Sequence, residues 1–320
     1  MANLVRLFSA LVALNLLAFF LVLFLGPASA EQAALTLATT DDADLFLDVR
    51  LPRAMAGFSV GGMLAMAGVL MQVLLRTPLA EPYVLGVSGG AAAAGLGCML
   101  LGLGSWWISG SALVASLVSM AVVFLVGGGR SGAPRERLLL TGVVLASGWV
   151  TVISFLLLLG PEHSVHDFLF WLMGDLGRPV SPWWGIMALV LAVAAAWVMA
   201  PALDLLVRGD EQAAVLGVEV HRARMVCYIT AALLTALAVT LAGPVGFVGL
   251  VVPHLVRLVA GARHRILLPA SLLAGGAYLM LVDTLAHLPG LPAQLPVGLV
   301  SAAIGIPMFL YLLRQWGRGD

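Results

Sequence analysis

The sequence predicts an all-α integral membrane protein with ten transmembrane helices, and three observations carry that reading. Of its 320 residues 62% are hydrophobic and 10% charged, with a mean hydropathy of +1.07, too little polar surface to coat a soluble globule. The apolar residues fall into ten stretches divided by short breaks rich in Gly, Pro or Arg. The 16 basic residues are all Arg and gather on alternate breaks. The absence of Lys also excludes classes of chemistry, because a Walker A loop needs its Lys at the phosphates and Schiff-base catalysis needs an amine.

The first stretch, Leu7 to Leu25, ends in Ala28-Ser29-Ala30, which resembles a signal-peptide cleavage site. Its apolar core nears the roughly twenty residues that cross a bilayer, so we read residues 1–26 as a first span; intact mass of the purified protein decides between the two. Residues 27–49, acidic through Glu31, Asp41, Asp42, Asp44 and Asp48, read as an external loop. The second span, Pro52 to Leu75, carries Gly57, Gly61, Gly62, Ala65 and Gly68 at helical spacing, a face that lets another helix come close. RTPLAEP, Arg76 to Pro82, breaks it before a Gly/Ala-rich third span. Trp106 and Trp107 suit a membrane interface ahead of the fourth span, which ends near Val126.

A basic loop, Gly127 to Arg137, precedes the fifth span, Leu138 to Leu159. Phe168 to Gly177 is apolar but too short to cross and reads as a half-helix at the outer interface. The sixth span covers Trp183 to Val207, and the polar island Arg208 to Arg224 follows, with the pattern of a short amphipathic helix. The seventh span covers Met225 to Ala242. Gly243 to Arg257 is punctuated by Gly and Pro, so the eighth should start broken. The ninth ends near His287, and the tenth covers Val297 to Leu313. Cys98 and Cys227 lie in apolar sequence, where a thiol behaves as a small hydrophobe.

With the N-terminus inside, the internal ends hold Arg6, Arg76, Arg130, Arg135, Arg137, Arg208, Arg222, Arg224, Arg257, Arg263, Arg265, Arg314 and Arg318, against Arg50, Arg53 and Arg178 outside. The positive-inside rule then places both termini and the island 208–224 in the cytoplasm.

Six blocks, RLPR at Arg50 to Arg53, MQVLLRTPLAEPYVLGVSGGA at Met71 to Ala91, WLMGDLG at Trp171 to Gly177, GDEQAAVLGV at Gly209 to Val218, GPVGFVGLVVPHLVR at Gly243 to Arg257 and LPVGLVSAAIGIPMFLYLL at Leu295 to Leu313, resemble the FecCD family. These are permease subunits of ABC importers for ferric siderophores, haem and vitamin B12. The resemblance implies a single type II ABC importer permease domain over residues 1–320, in a bacterial-type inner membrane. It implies a homodimer with two ATP-binding subunits, which hold the ATP and Mg, and an external or periplasmic substrate-binding protein. The chain itself would be no enzyme and bind neither cofactor nor metal.

The resemblance makes the polar island the coupling segment that sits in a cleft of the ATPase. Ala213, Ala214, Leu216 and Val218 are expected to supply an apolar face, Arg208, Asp210, Glu211 and Arg222 a polar rim, and Gly217, with Gly209 at the start, the turns. Arg50 and Arg53 face outside against the charge trend. They either anchor lipid headgroups or, as in similar permeases, grip acidic residues of the binding protein, for which Arg suits bidentate contacts. Thr141, Ser147, Ser154 and Ser301 are expected along the path, whose wall must interact weakly with the cargo.

His254 reads as structural, His163, His166 and Asp167 as bystanders at the outer mouth, and Asp283 as a buried hydrogen bond or ion pair rather than a proton relay. The sequence departs from the family at Thr77, where Asn is usual, and at His287 and Gln294, where Arg and Glu are common. The third docking arginine is therefore absent, and the grip on the binding protein is left open. A large iron chelate leads as cargo, with vitamin B12 as the alternative. A proton-coupled secondary transporter is disfavoured because the spans hold almost no ionisable residue besides Asp283. A membrane enzyme is weaker still, for want of a clustered nucleophile, base or metal set.

Overall fold

Small side chains decide which helix lies at the centre. The computed structural model describes residues 2–25, 49–77, 80–127, 135–161, 168–177, 182–288 and 295–316. Its helices, in order, are α1 (Ala2–Leu25), α2 (Leu51–Leu75), α3 (Val87–Leu100), α4 (Ser105–Val126), α5 (Arg135–Leu159), α6 (Pro182–Leu206), α7 (Asp210–Val215), α8 (Val220–Ala242), α9 (Val248–Ala260), α10 (His264–Ala286) and α11 (Val297–Trp316). The apolar window of α2 is 94% buried, against 6% for α5, so α2 is the inner helix and α5 lies at the edge. A Cβ on Gly61 would collide with the Gly275 carbonyl of α10, and one on Gly68 with the Gly249 carbonyl of α9. Backbone therefore lies on backbone along both seams, the contact that joins helices where lipid is as apolar as leucine.

Apart from α7 and a short helix at residues 168–172, the helices are apolar and number ten among the described residues. Seven are long and apolar enough to cross a membrane, while α3, α9 and the apolar stretch of α11, Val297–Leu312, are shorter. The ten expected spans thus fall on seven long helices and three shorter ones, and irregular backbone precedes α3 and α9. A 3-10 turn, Pro82–Leu85, leads into α3. The break at residues 243–247 leads into α9, and its exposed backbone donors are capped from the segment before α3. The Val245 N–H donates to the Tyr83 hydroxyl at 3.1 Å and the Phe247 N–H to Glu81 Oε1 at 2.6 Å. Non-helical backbone at this depth is tolerated because protein side chains satisfy it.

The segment at residues 168–177 opens with a short helix, residues 168–172, whose Phe168 and Trp171 pack among Ala92, Ala93, Leu96 and Ile153. Its far end is tied at both sides. The Asp175 N–H donates to the Ala242 carbonyl at 2.8 Å and the Val297 N–H to the Gly174 carbonyl at 3.0 Å. The segment thus joins the end of α8 to the start of α11. At α1, Asn15 Nδ2 donates to the Leu273 carbonyl of α10 at 2.9 Å. Cys98 and Cys227 are both free thiols, and Cys227 is fully buried.

Candidate functional site

The polar island folds into less helix than its pattern suggests. Only Asp210–Val215 forms a separate helix, and Val220 to Arg224 are the first turns of α8 rather than loop, so the seventh span starts earlier than Met225. Gly209, at φ +141°, opens α7, and Asp210 and Glu211 occupy its first turn, where acidic groups suit the helix dipole. Gly217, at φ +86°, closes it, as the Val218 N–H donates to the Ala213 carbonyl at 3.0 Å.

Four consecutive apolar residues, Ala213 to Leu216, cannot share one face of a six-residue helix. The structure turns Ala213 into the core, and half-buried Val218 packs against the same cluster, so neither supplies an outward surface. That corrects the expected apolar face. It consists of Ala214, Val215 and Leu216, with Val215 87% and Leu216 61% exposed. Val215 was missed by sequence reasoning, and the apolar run itself was the available signal. Around the face, Arg208, Glu211 and Arg222 are exposed, and Arg222 pairs with Glu219 at 2.9 Å.

Asp210 is the second correction. Instead of joining the outer rim, it turns back into an ion-pair cluster with Arg76 at the end of α2 and Arg224 in the first turns of α8, the latter at 3.2 Å. Arg76 Nε also donates to the Leu206 carbonyl at 2.9 Å, which ends α6. Three helices and α7 meet at this clasp. Nearby, Arg257 donates to Gln72 Oε1 at 3.0 Å, and His264 engages Asp204 Oδ1 through its backbone N–H at 3.0 Å and its ring Nδ1 at 2.6 Å. The ends of α2, α6 and α9 and the starts of α8 and α10 therefore share one end of the bundle.

The opposite end holds Arg50 and Arg53. Arg53 forks onto Asp283, with Nε to Oδ2 at 2.8 Å and Nη2 to Oδ1 at 2.9 Å. It also lies 3.0 Å from His287 Nε2. Its side chain is 11% exposed and that of Asp283 2%, so the expected outward-facing Arg53 is instead an internal partner of the buried carboxylate. The reason is the cost of an unpaired acid in a membrane interior, which this arginine offsets. Arg50, half-buried, donates from Nη1 to the Leu23 carbonyl of α1 at 2.8 Å. Asp283 is an ion-pair partner, as the sequence suggested. His163, His166, Asp167, Arg178 and Gln294 lie outside the described residues.

On α5, Thr141 is half-buried, while Ser147 and Ser154 are exposed together with Thr151, which the sequence reading passed over despite its spacing from Ser147 and Ser154. Each hydroxyl donates to the carbonyl four residues earlier, at 2.7 Å for Thr141, 3.0 Å for Ser147, 3.1 Å for Thr151 and 2.8 Å for Ser154. Their hydrogens are spent inside the helix, and the face presents weak acceptors among Val144, Val150 and Phe155. Ser301 differs. It is fully buried and donates to the Gly246 carbonyl at 2.8 Å, so it ties α11 to the break before α9 and presents no open surface.

The FecCD transport family pattern matches residues 11–315, nearly the whole chain. The chain belongs to the FecCD transport family. Among curated FecCD relatives it is 38% identical to the cobalamin import system permease protein BtuC of Halobacterium salinarum, over 83% of this chain and 72% of that one. It is 37% identical to the hemin transport system permease protein HmuU of Yersinia pestis, over 94% of each. It is 38% identical to the Fe(3+) dicitrate transport system permease protein FecD of Escherichia coli, over 84% and 85%. Among solved structures, an inward-facing ABC transporter assigned to the metal-chelate type superposes with a TM-score of 0.84 at 27% identity, covering 97% of this chain and 99% of that one. This FecCD chain is therefore a multi-pass permease subunit of an ABC importer, with ATP hydrolysis on a separate chain.

Proposed function

We propose that two copies of this chain form the membrane path of an importer for a large metal chelate, a ferric siderophore or haem, driven by two ATPase subunits and loaded by an external binding protein. The observation that carries the reading is the exposed tip of α7. Val215 and Leu216 form an apolar knob that the bundle leaves uncovered beside Arg208 and Glu211, at the Arg-rich end. Apolar side chains exposed beyond a membrane end, rimmed by charge, fit a protein partner rather than lipid. That end is then cytoplasmic, which the positive-inside rule favours, and the membrane is a bacterial-type inner membrane. The hydroxyl face of α5, with half-buried Thr141 and exposed Ser147 and Ser154, supplies the weakly binding wall between the two copies. ATP and Mg are held by the ATPase chains, and residues 1–320 act as one permease domain.

Identity to a cobalamin permease supports vitamin B12 as the second cargo, and both cargoes are bulky. Arg50 remains the candidate for docking the binding protein, while Arg53 is committed to Asp283. The test is reconstitution of the chain with its binding protein and ATPase in liposomes, reading ATP hydrolysis with ferrichrome, haem or cyanocobalamin. Stimulation by an iron chelate alone supports the reading. Stimulation by cyanocobalamin alone replaces the cargo, and uptake that persists without ATP overturns the mechanism.

A further inference from the structure

The clasp at the inner end of α2 uses an arginine where the backbone favours glycine. Arg76 follows the last residue of α2 at φ +47° and ψ +36°, the left-handed region that costs a side chain and that glycine usually fills at a helix end. Outside the glycines, only Phe247 shares a positive φ among the described residues. A strained position held by a bulky side chain points to a job for that side chain. Here the guanidinium reaches the Leu206 carbonyl of α6 with Nε and the Asp210 carboxylate of α7 with Nη2. Arg224 of α8 approaches the other oxygen of Asp210.

We infer that Arg76 and Asp210 are positioning residues that transmit movement of α7 to α2, the most buried span, and so open or close the path. The inference rests on the ATPase-docking reading of α7 and names how the motion enters the bundle. Its logic is geometric. The α7 helix has six residues and packs on α6 and α8 through inward Ala213, and its charged link to the end of α2 is this cluster. Displacement of the Val215–Leu216 tip by a partner must therefore pull on Asp210, and through it on Arg76. From Arg76 the load passes into a helix lying backbone-to-backbone on α9 and α10, which rigid packing carries the length of the bundle. The cluster is partly solvated, with side-chain exposures of 20% for Arg76 and 38% for Asp210, so it can shift without stranding a buried charge.

The experiment uses the full complex in liposomes, in a background with Cys98→Ser and Cys227→Ala, which removes both cysteines. A reporter thiol, Thr151→Cys on the exposed face of α5, is labelled with a maleimide with and without ATP plus vanadate. Arg76→Gly relieves the left-handed backbone, so the thermal midpoint should move by no more than about 3 °C. ATP hydrolysis should continue, while the nucleotide-dependent change in labelling rate falls about five- to tenfold. Asp210→Asn should lose a similar part of the response, and the double variant no more than either single one, because both act through one contact.

A wild-type response in Arg76→Gly and Asp210→Asn overturns the inference, as does a loss that merely tracks lowered stability or lost ATPase assembly. Additive losses in the double variant also overturn it. If nucleotide leaves labelling unchanged in the unsubstituted complex, the docking reading itself fails and takes the inference with it.

Discussion

Helix α2 ends in an arginine–aspartate grip on both sides, and the two are built for different work. At one end Arg53 forks onto Asp283 with side chains 11% and 2% exposed, beside His287. At the other, Arg76 and Arg224 share an Asp210 that is 38% exposed. Breaking a buried pair leaves an uncompensated charge and costs about 3–5 kcal/mol, whereas a solvated pair is worth about 0–1 kcal/mol. The Asp283 grip is therefore a fixed seam between α2 and α10. The Asp210 grip is a joint that can be worked without unfolding the bundle.

The largest effect should come from the fixed seam. Asp283→Ala strands Arg53 and is expected to lower stability by about 3–5 kcal/mol, read as the unfolding midpoint of the purified protein in lipid nanodiscs. A small loss there would show that Arg53 reaches solvent and the contrast between the ends is false. Next comes the packing that links them. Gly68→Ala forces a Cβ against the Gly249 carbonyl and should cost about 1–3 kcal/mol in the same assay, with α9 displaced from α2. Unchanged stability would mean the seam yields and cannot carry load.

A smaller effect is expected at Ser301. Ser301→Ala removes the tie to Gly246 and should cost about 0.5–1.5 kcal/mol, with cargo affinity of the complex unchanged because the side chain is fully buried. A shift in transport specificity would return it to the path. The smallest effect sharpens the scale from the solvent side. Arg222→Ala breaks a pair with Glu219 whose side chains are 80% and 66% exposed, and should leave thermal stability within about 0.5 kcal/mol.

The two grips also show how far the sequence could be read. Span order, the small-residue face of α2, the broken start of α9 and the place of the polar island were all legible. Each is a pattern local in sequence, whether an apolar run, a glycine spacing or an Arg-bearing break. The partners of single charged residues were not. Arg53 and Asp283 are 230 positions apart and Arg76 and Asp210 134, so nothing local says that these arginines turn inward rather than outward. The same holds for Ser301, whose partner is the Gly246 carbonyl across a helix boundary. At α7 the limit was angular. A run of apolar residues announces a buried or docking surface, but only the helix start at Asp210 decides that Ala213 points in and Val215 out.

The proposed docking sets the Val215–Leu216 tip against the ATPase and keeps the far end of the bundle away from it. A photo-crosslinking residue at position 215, in the assembled complex, tests it most directly against the same residue at Trp106, which is 83% exposed at the far end. Capture of the ATPase chain is expected from position 215 and none from position 106. Capture from 106, or none from 215 in an intact complex, contradicts it.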